Sequence, residues 1–357
     1  MKNILIKNKK FFVKGILLFS IFSLIVLGCV YIDSISIMQI QEDGTEAPFA
    51  KAGSTATFTV KGHINSDEEH AAVQFVVAFL APKSWNVRNH SEVTYITTLH
   101  TNPHEELTMS VIPESSLPKN ADGLTWGQKL METYGVGPNV LSDMEWVSFA
   151  TDKIWSIRNG DKPTYTIYIK TNVGELNLKA YLGFFVNHTN DGISTDDRHR
   201  KVMYSSTPFE VTDGRGVIID FCNEHFNKVQ PLAILQDDFV TFSFNGGVYM
   251  NDLIAYDEIY LEAIAYDLDG AVISQITEKS AKTLLRRESL YTQTYSLTLW
   301  PADYFNVSDG KVIGRIAYIF TDKSGMVTIT QSDDDFAVEG VSIPENKEPF
   351  LFDVLCE

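Results

Sequence analysis

Familiar catalytic signatures are missing from this chain. It has no Gly-x-Ser-x-Gly elbow, no Gly-rich phosphate-cradling loop and no His-Glu-x-x-His pair. That removes nucleophile-elbow, P-loop and zinc-peptidase chemistry from the reading. Positive charge is also scarce: 29 Lys and Arg face 46 Asp and Glu, a formal net charge of −17. Such a surface repels phosphate backbones and anionic lipid, which argues against nucleic-acid binding and disfavours strongly anionic ligands at long range. Neutral partners such as uncharged glycans meet no such barrier, and solubility alone would also account for the charge. The apolar run Ile16–Leu27 falls short of the about 20 residues that a membrane span needs. Cysteine is nearly absent too, with Cys29, Cys222 and Cys356 the full set.

What is present begins at the N-terminus. Lys2, Lys7, Lys9, Lys10 and Lys14 precede the apolar run, which ends at Val26-Leu27-Gly28-Cys29. A basic region, a short apolar core and a small residue before the cut describe a secretory signal peptide over 1–28. The cysteine after the cut resembles a bacterial lipobox, with Val26 where leucine is commoner, and this implies diacylglycerol on Cys29 and acylation of the new N-terminus. Acyl chains of that number anchor a protein without a spanning helix. Loss of five lysines and no acids takes the formal charge from −17 to −22.

Period-2 patterning dominates the rest. In Thr164–Lys170, Tyr165, Ile167 and Ile169 share one face, and Ser54–Val60 alternates in the same way. Ala72–Ala81 is an apolar run, interrupted only by Gln74, that suits a central strand. Further strand-like stretches are Val93–Thr98, Lys179–Asn187, Phe239–Phe244, Ile259–Tyr266, Tyr295–Trp300, Val312–Thr321 and Phe350–Leu355. Many short strands between turn signals predict a mainly β chain of two immunoglobulin-like sandwiches. Asp267–Gly270 and Asp322–Gly325 read as hairpin turns. One helix is predicted: Thr125 and Gln128 have capping-box spacing, Trp126, Leu130 and Tyr134 share a face, and Gly135 can end it. The expected division is a tether over 29–47, a sandwich over 48–213 with an irregular insertion near 113–160, and a second sandwich over 216–357. Cys222 and Cys356 fall in what read as the first and last strands of that second domain. A bridge there is permitted in an exported protein and would stabilise by about 4–5 kcal/mol on the loop-entropy model; two buried thiols are the alternative.

Few residues offer chemistry. His100 and His104 have helical zinc-ligand spacing, but Pro103 between them opposes a helix. His188 and His199 flank a polar loop. Asp237-Asp238 and Asp333-Asp334-Asp335 lack the spacing of a calcium loop. No metal or cofactor is therefore expected. The aromatics are more informative, because a sugar stacks on an exposed ring. In Tyr295–Trp300, Tyr295, Leu297 and Leu299 share one face, which puts Trp300 on the polar side beside Asp303 and Tyr304. These three, with Trp85 in a loop-like context, are the candidate glycan contacts. Trp146 and Trp155 either line a groove or serve the core.

The lipobox start, Phe79-Leu80-Ala81-Pro82-Lys83-Ser84-Trp85-Asn86 and Ile319-Phe320-Thr321-Asp322-Lys323-Ser324-Gly325 resemble a Bacteroidetes lipoprotein family of unknown function. It is similar in kind to the accessory lipoproteins encoded beside SusC-type transporters and SusD-type binding proteins of polysaccharide-utilisation loci. The resemblance implies outer-membrane attachment, on the cell surface before the periplasmic face, and glycan handling. The expected role is non-catalytic: binding neutral polysaccharide or supporting an uptake assembly with SusC/SusD-type partners. A structural adhesin or pilus-associated lipoprotein is the alternative, and a glycoside hydrolase comes third.

Overall fold

The computed structural model describes residues 29–67, 69–119, 121–193, 201–308 and 310–355. The expected signal peptide (1–28), His199 and Cys356, and with Cys356 the expected Cys222–Cys356 pair, lie outside them. The chain is mainly β, as its patterning predicts. It forms two compact units. The first comprises residues up to Pro138, Ser142–Gly174 and Tyr181–Phe209; the second comprises Asn139–Leu141, Glu175–Ala180 and Glu210 onward.

The main sheet of the first unit is built from β1 (Cys29–Ser36), β2 (Thr55–Asn65), β3 (Phe75–Pro82), β4 (Ser91–Thr97), β5 (Leu107–Val111), β6 (Met144–Thr151), β7 (Thr164–Asn172), β8 (Gly183–His188) and β9 (Val202–Tyr204). They make one antiparallel sheet in the order β1-β2-β7-β4-β5-β6-β3-β8-β9. The sheet rolls until β1 lies beside β8. Its inner face is an aromatic block. Phe58 and Phe79 have ring centroids 5.2 Å apart, Phe79 and Phe184 are 5.3 Å apart, and Trp85 meets Phe209 edge-on at 5.8 Å. The packing leaves a cavity of about 20 Å³ near Val30, Tyr95, Met109 and Val186, so side chains fill the roll.

Two expectations about this unit are corrected. Residues 29–36, read as tether, form β1 and pair with β2 from Cys29↔Asn65 to Ser36↔Thr59. Asp33, one of the acids that suggested a solvated linker, is accommodated by a register shift between Ile32 and Ser34, which turns it out to His63 at 2.8 Å. Val30 and Ile32 stay in the core. The supposed insertion likewise contains β6, a central strand between β5 and β3. Its alternation is hidden because both faces are buried. Helix α1 (Trp126–Tyr134) covers the outer face, with the expected Thr125–Gln128 capping box and Gly135 at its end. The approach is close enough to require glycine: a Cβ on Gly127 would lie 2.5 Å from the Trp146 carbonyl oxygen.

In the second unit, β10 (Arg215–Asp220) runs parallel to Leu176–Ala180. The run Lys179–Asn187, read as one strand, thus divides into Leu176–Ala180 here and β8 of the first unit. The sandwich follows: β11 (Asn227–Gln230), β12 (Val240–Asn245), β13 (Tyr260–Tyr266), β14 (Val272–Ile276), β15 (Arg286–Arg287), β16 (Thr294–Leu299), β17 (Arg315–Thr321), β18 (Thr328–Ile329) and β19 (Phe350–Asp353). One sheet is β11-β12-β16-β15. The other is β14-β13-β17, with β18 and β19 both on the far side of β17. Between them Phe242 meets Tyr318 at 4.6 Å and Phe352 at 5.9 Å, and Phe244 meets Phe320 at 5.4 Å. Fully burying each such ring contributes about 1.5–3 kcal/mol. The acidic run at 333–335 lies within a second helix, α2 (Gln331–Glu339), capped by Thr330 and Asp333.

If β1 is core structure, Ile32→Ala should destabilise the first unit by about 2–5 kcal/mol in urea unfolding. A substitution in a mere tether would change it by no more than about 0.5 kcal/mol.

Candidate binding groove and its charged end

The second unit carries an open groove of about 1180 Å³. The edge strand of one sheet, β11, and the β19 strand of the other both line it. Tyr318 spans the sheets beneath, its hydroxyl donating to Asn227 Oδ1 at 2.8 Å. Tyr266 contributes a half-buried ring, and Asn223, Gln230, Ser243 and Asn245 contribute uncharged polar groups. Arg315 is tied to Asp353 at 2.6 Å.

A cluster of ionised groups closes one side. His225 Nδ1 contacts Asp334 Oδ2 at 2.5 Å, and Nε2 contacts Asp220 Oδ2 at 3.1 Å. Asp334 also accepts from the Phe226 backbone N–H at 2.6 Å. Asp220 accepts from the Cys222 backbone N–H at 2.7 Å, from Asn223 Nδ2 at 2.8 Å and from Lys179 Nζ at 3.1 Å. Local sequence explains the placement. The Thr330–Asp333 capping box starts α2 and sets Asp334 in its first turn, where a carboxylate also favours the helix dipole. Asp334 is 1% exposed and Asp220 is 8% exposed, so both need these partners.

The electrostatics define what the cluster can do. Burial alone would lower the His225 pKa, but the Asp220 and Asp334 carboxylates outweigh it and raise the value from 6.5 to about 9. Burial opposes the Asp220 charge as well. Hydrogen bonds from His225, Asn223, Cys222 and Lys179 reverse that and hold its pKa well below the usual 3.8. At neutral pH His225 is an imidazolium with both nitrogens donating, so it has no lone pair with which to take a proton from a substrate. The cluster braces the β10–β11 connection against α2.

The residues singled out from sequence lie elsewhere. Trp300 is 42% exposed at the end of β16, the side its strand phase predicts. Asp303 is exposed beside it. Tyr304 is corrected as a ligand contact: it is 5% exposed, because Pro301 opens the short helix Pro301–Tyr304 and turns the ring inward onto Phe305 at 5.0 Å. None of the three lines the groove. Trp85, in the first unit, is also corrected, since at 0% exposure it belongs to the aromatic block and presents no face to a sugar. Trp146 and Trp155 are structural: their Nε1 atoms donate to Gly135 O and Tyr95 Oη, each at 2.9 Å. His100 and His104 lie in a loop, and no group of three metal-ligating residues occurs among the described residues. Asp220 and His225 carried no sequence signal and Asp334 stood out only as part of an acidic run, because residues 109 apart have no spacing to read.

The raised His225 pKa means that its stabilisation is complete below pH 6.5 and is lost as pH rises through about 9. The depressed Asp220 pKa means that its share is present above pH 3.8 and fades below it. The second unit should therefore weaken on the alkaline side by on the order of 3 kcal/mol, and His225→Gln should flatten that limb. Urea midpoints across this range, read from the second unit, measure it.

Among curated proteins none matches the chain. Solved structures give distant likenesses. AvmM, which catalyses macrocyclization in alchivemycin A biosynthesis, is 8% identical over 54% of this chain and 90% of its own, with a TM-score of 0.23. The structure BspA_C_mut is 13% identical over 85% and 96%, with a TM-score of 0.24. The major pilin SpaA of Corynebacterium diphtheriae is 9% identical over 91% and 63%, with a TM-score of 0.23. Scores this low assign no activity. Family models are more informative about kinship: residues 227–329 match a domain of unknown function, DUF8578, and residues 32–225 match another, DUF4961. The latter spans more than half of the chain, and the protein belongs to the DUF4961 family.

Proposed function

We propose that this protein is a non-catalytic binding protein, exported and held at a bacterial outer membrane by lipid on Cys29, and that its second unit takes a neutral glycan. The observation that carries this reading is the composition of the groove. A half-buried Tyr266 lies in one 1180 Å³ concavity with Asn223, Asn227, Gln230, Ser243 and Asn245. Amides and hydroxyls suit sugar hydroxyls, and a ring edge or face suits the apolar side of a pyranose. The His225–Asp220–Asp334 cluster and the Arg315–Asp353 pair are committed internally, which favours holding a ligand over transforming it, and Arg215, Glu224, Lys228 and Glu288 add further charge to the lining. The net charge of −17 favours neutral ligands. Trp300 offers a second, separate stacking ring. Among the described residues no helix is long and apolar enough to cross a membrane, and the lipobox-like Cys29 is the attachment this reading proposes. A SusC/SusD-type assembly in a Bacteroidetes outer membrane is the setting that the sequence resemblance supplies.

One observation favours the adhesin-type alternative. The bond from the Asn245 N–H to Phe226 O fixes the alternation along β11, so Asn227 and Val229 direct their backbone groups away from β12. A free edge of this kind can accept an added strand.

The purified mature chain should be retarded in native gels that contain one of a panel of neutral polysaccharides. Tyr266→Ala should weaken that retention at least tenfold, on the order of 1.4 kcal/mol. Retention by none of the panel defeats the glycan reading. Separately, Cys29→Ser should release the protein from the membrane fraction.

A further inference from the structure

The first unit holds a buried lysine that the groove does not use. Lys201 is 4% exposed and Asn187 is 0% exposed. Lys201 Nζ lies 3.1 Å from Asn187 Oδ1 and contacts Asp191 Oδ2. The same carboxylate oxygen accepts from Asn187 Nδ2 at 3.0 Å, and Nδ2 also donates to Gly192 O at 2.5 Å. The backbone fixes this arrangement. The Val186 N–H donates to Lys201 O at 2.8 Å, and Phe185 pairs with Val202 where β8 meets β9.

A buried ion pair needs only Lys201 and Asp191, and it repays its desolvation poorly. The third group changes the chemistry. A primary amine faces a carboxamide in a water-poor site, and one carboxylate oxygen touches both the amine nitrogen and the amide nitrogen. Those are the groups a transamidation needs, with a carboxylate placed to relay protons between the two nitrogens.

We propose that Lys201 and Asn187 form an intramolecular isopeptide bond, with Asp191 as the proton-transfer group. Asp191 accepts a proton from the Lys201 ammonium, and the freed amine adds to Asn187 Cγ. Asp191 then passes protons from the Lys201 nitrogen to Asn187 Nδ2. The Cγ–Nδ2 bond breaks as the amide carbonyl reforms. Nitrogen leaves as ammonium, which carries the original ammonium proton and returns Asp191 to its carboxylate. One C–N bond forms and one breaks, and no oxidant or co-reactant is needed. Asp191 is ionised in the resting pair, because its hydrogen bonds to Lys201 and Asn187 outweigh burial and hold its pKa below the usual carboxylate value; this makes the proton transfer from Lys201 the uphill step of the sequence. The product staples β9, the last strand of the rolled sheet, to β8.

The test is the intact mass of the denatured, reduced mature chain, followed by a tryptic digest. The expected mass is one ammonia below that of the sequence, with a branched peptide joining the Asn187 and Lys201 segments. Lys201→Arg keeps the charge without the nucleophile, and Asp191→Asn keeps the shape without the base. Each should restore the full mass and abolish the branched peptide. A wild-type chain at full mass, or one that has lost ammonia without a branched peptide, overturns the proposal. Cross-linking that persists in Asp191→Asn overturns the role of Asp191. The wild-type measurement decides the bond itself even if a variant fails to fold.

Discussion

The cost of placing charge where water cannot reach it governs this protein. Asp220 and Asp334 in the second unit, and Lys201 in the first, are each less than a tenth exposed. An ionised group in that position persists only when partners replace its hydration. His225 replaces it for two carboxylates at once, at 2.5 and 3.1 Å. Asp191 and Asn187 do so for Lys201. The two clusters differ in what the partners permit. Around His225 every ring nitrogen is committed to a carboxylate, and the result is a brace. Around Lys201 a carboxamide completes the set, and an amine beside an amide carbonyl has a bond-forming path.

The aromatic cores make such clusters affordable. Phe58, Phe79, Trp85 and Phe184 fill the roll of the first unit, and Phe242, Phe244, Tyr318 and Phe320 fill the sandwich of the second. These side chains set the distance between backbone layers, and so the position of each polar group at the margin. Tyr318 shows the link: its ring packs against Phe242 while its hydroxyl reaches Asn227 at the floor of the groove. Burial also pushes its phenol pKa far up, so it acts as a neutral donor there.

Much of the strand content was legible in the sequence because one buried face writes a period of two. Val240–Asn245 and Thr164–Asn172 alternate buried and part-exposed residues, and the phase of Tyr295–Leu299 correctly left Trp300 outside. The Thr125–Gln128 box and Gly135 marked α1 from end to end. The misses have physical causes. A bulge at Asp33 broke the alternation of β1, and the acids nearby resembled a linker. Burial on both faces erased the period of β6. Tyr304 and Trp85 were misplaced because a one-turn helix, and packing under a sheet, reverse the direction that a loop-like context suggests. The clusters left almost no trace. Asp220, His225 and Asp334 meet through tertiary folding, and only the capping of α2 gave Asp334 a local reason for its place.

The central claim is that buried charge here is fixed by partners, and the imidazole of His225 reports on it most directly. Heteronuclear NMR of the ring should show protons on both nitrogens at neutral pH, held against exchange, with titration delayed to about pH 9. A single ring proton at neutral pH, with a midpoint near the ordinary 6.5, would contradict the account.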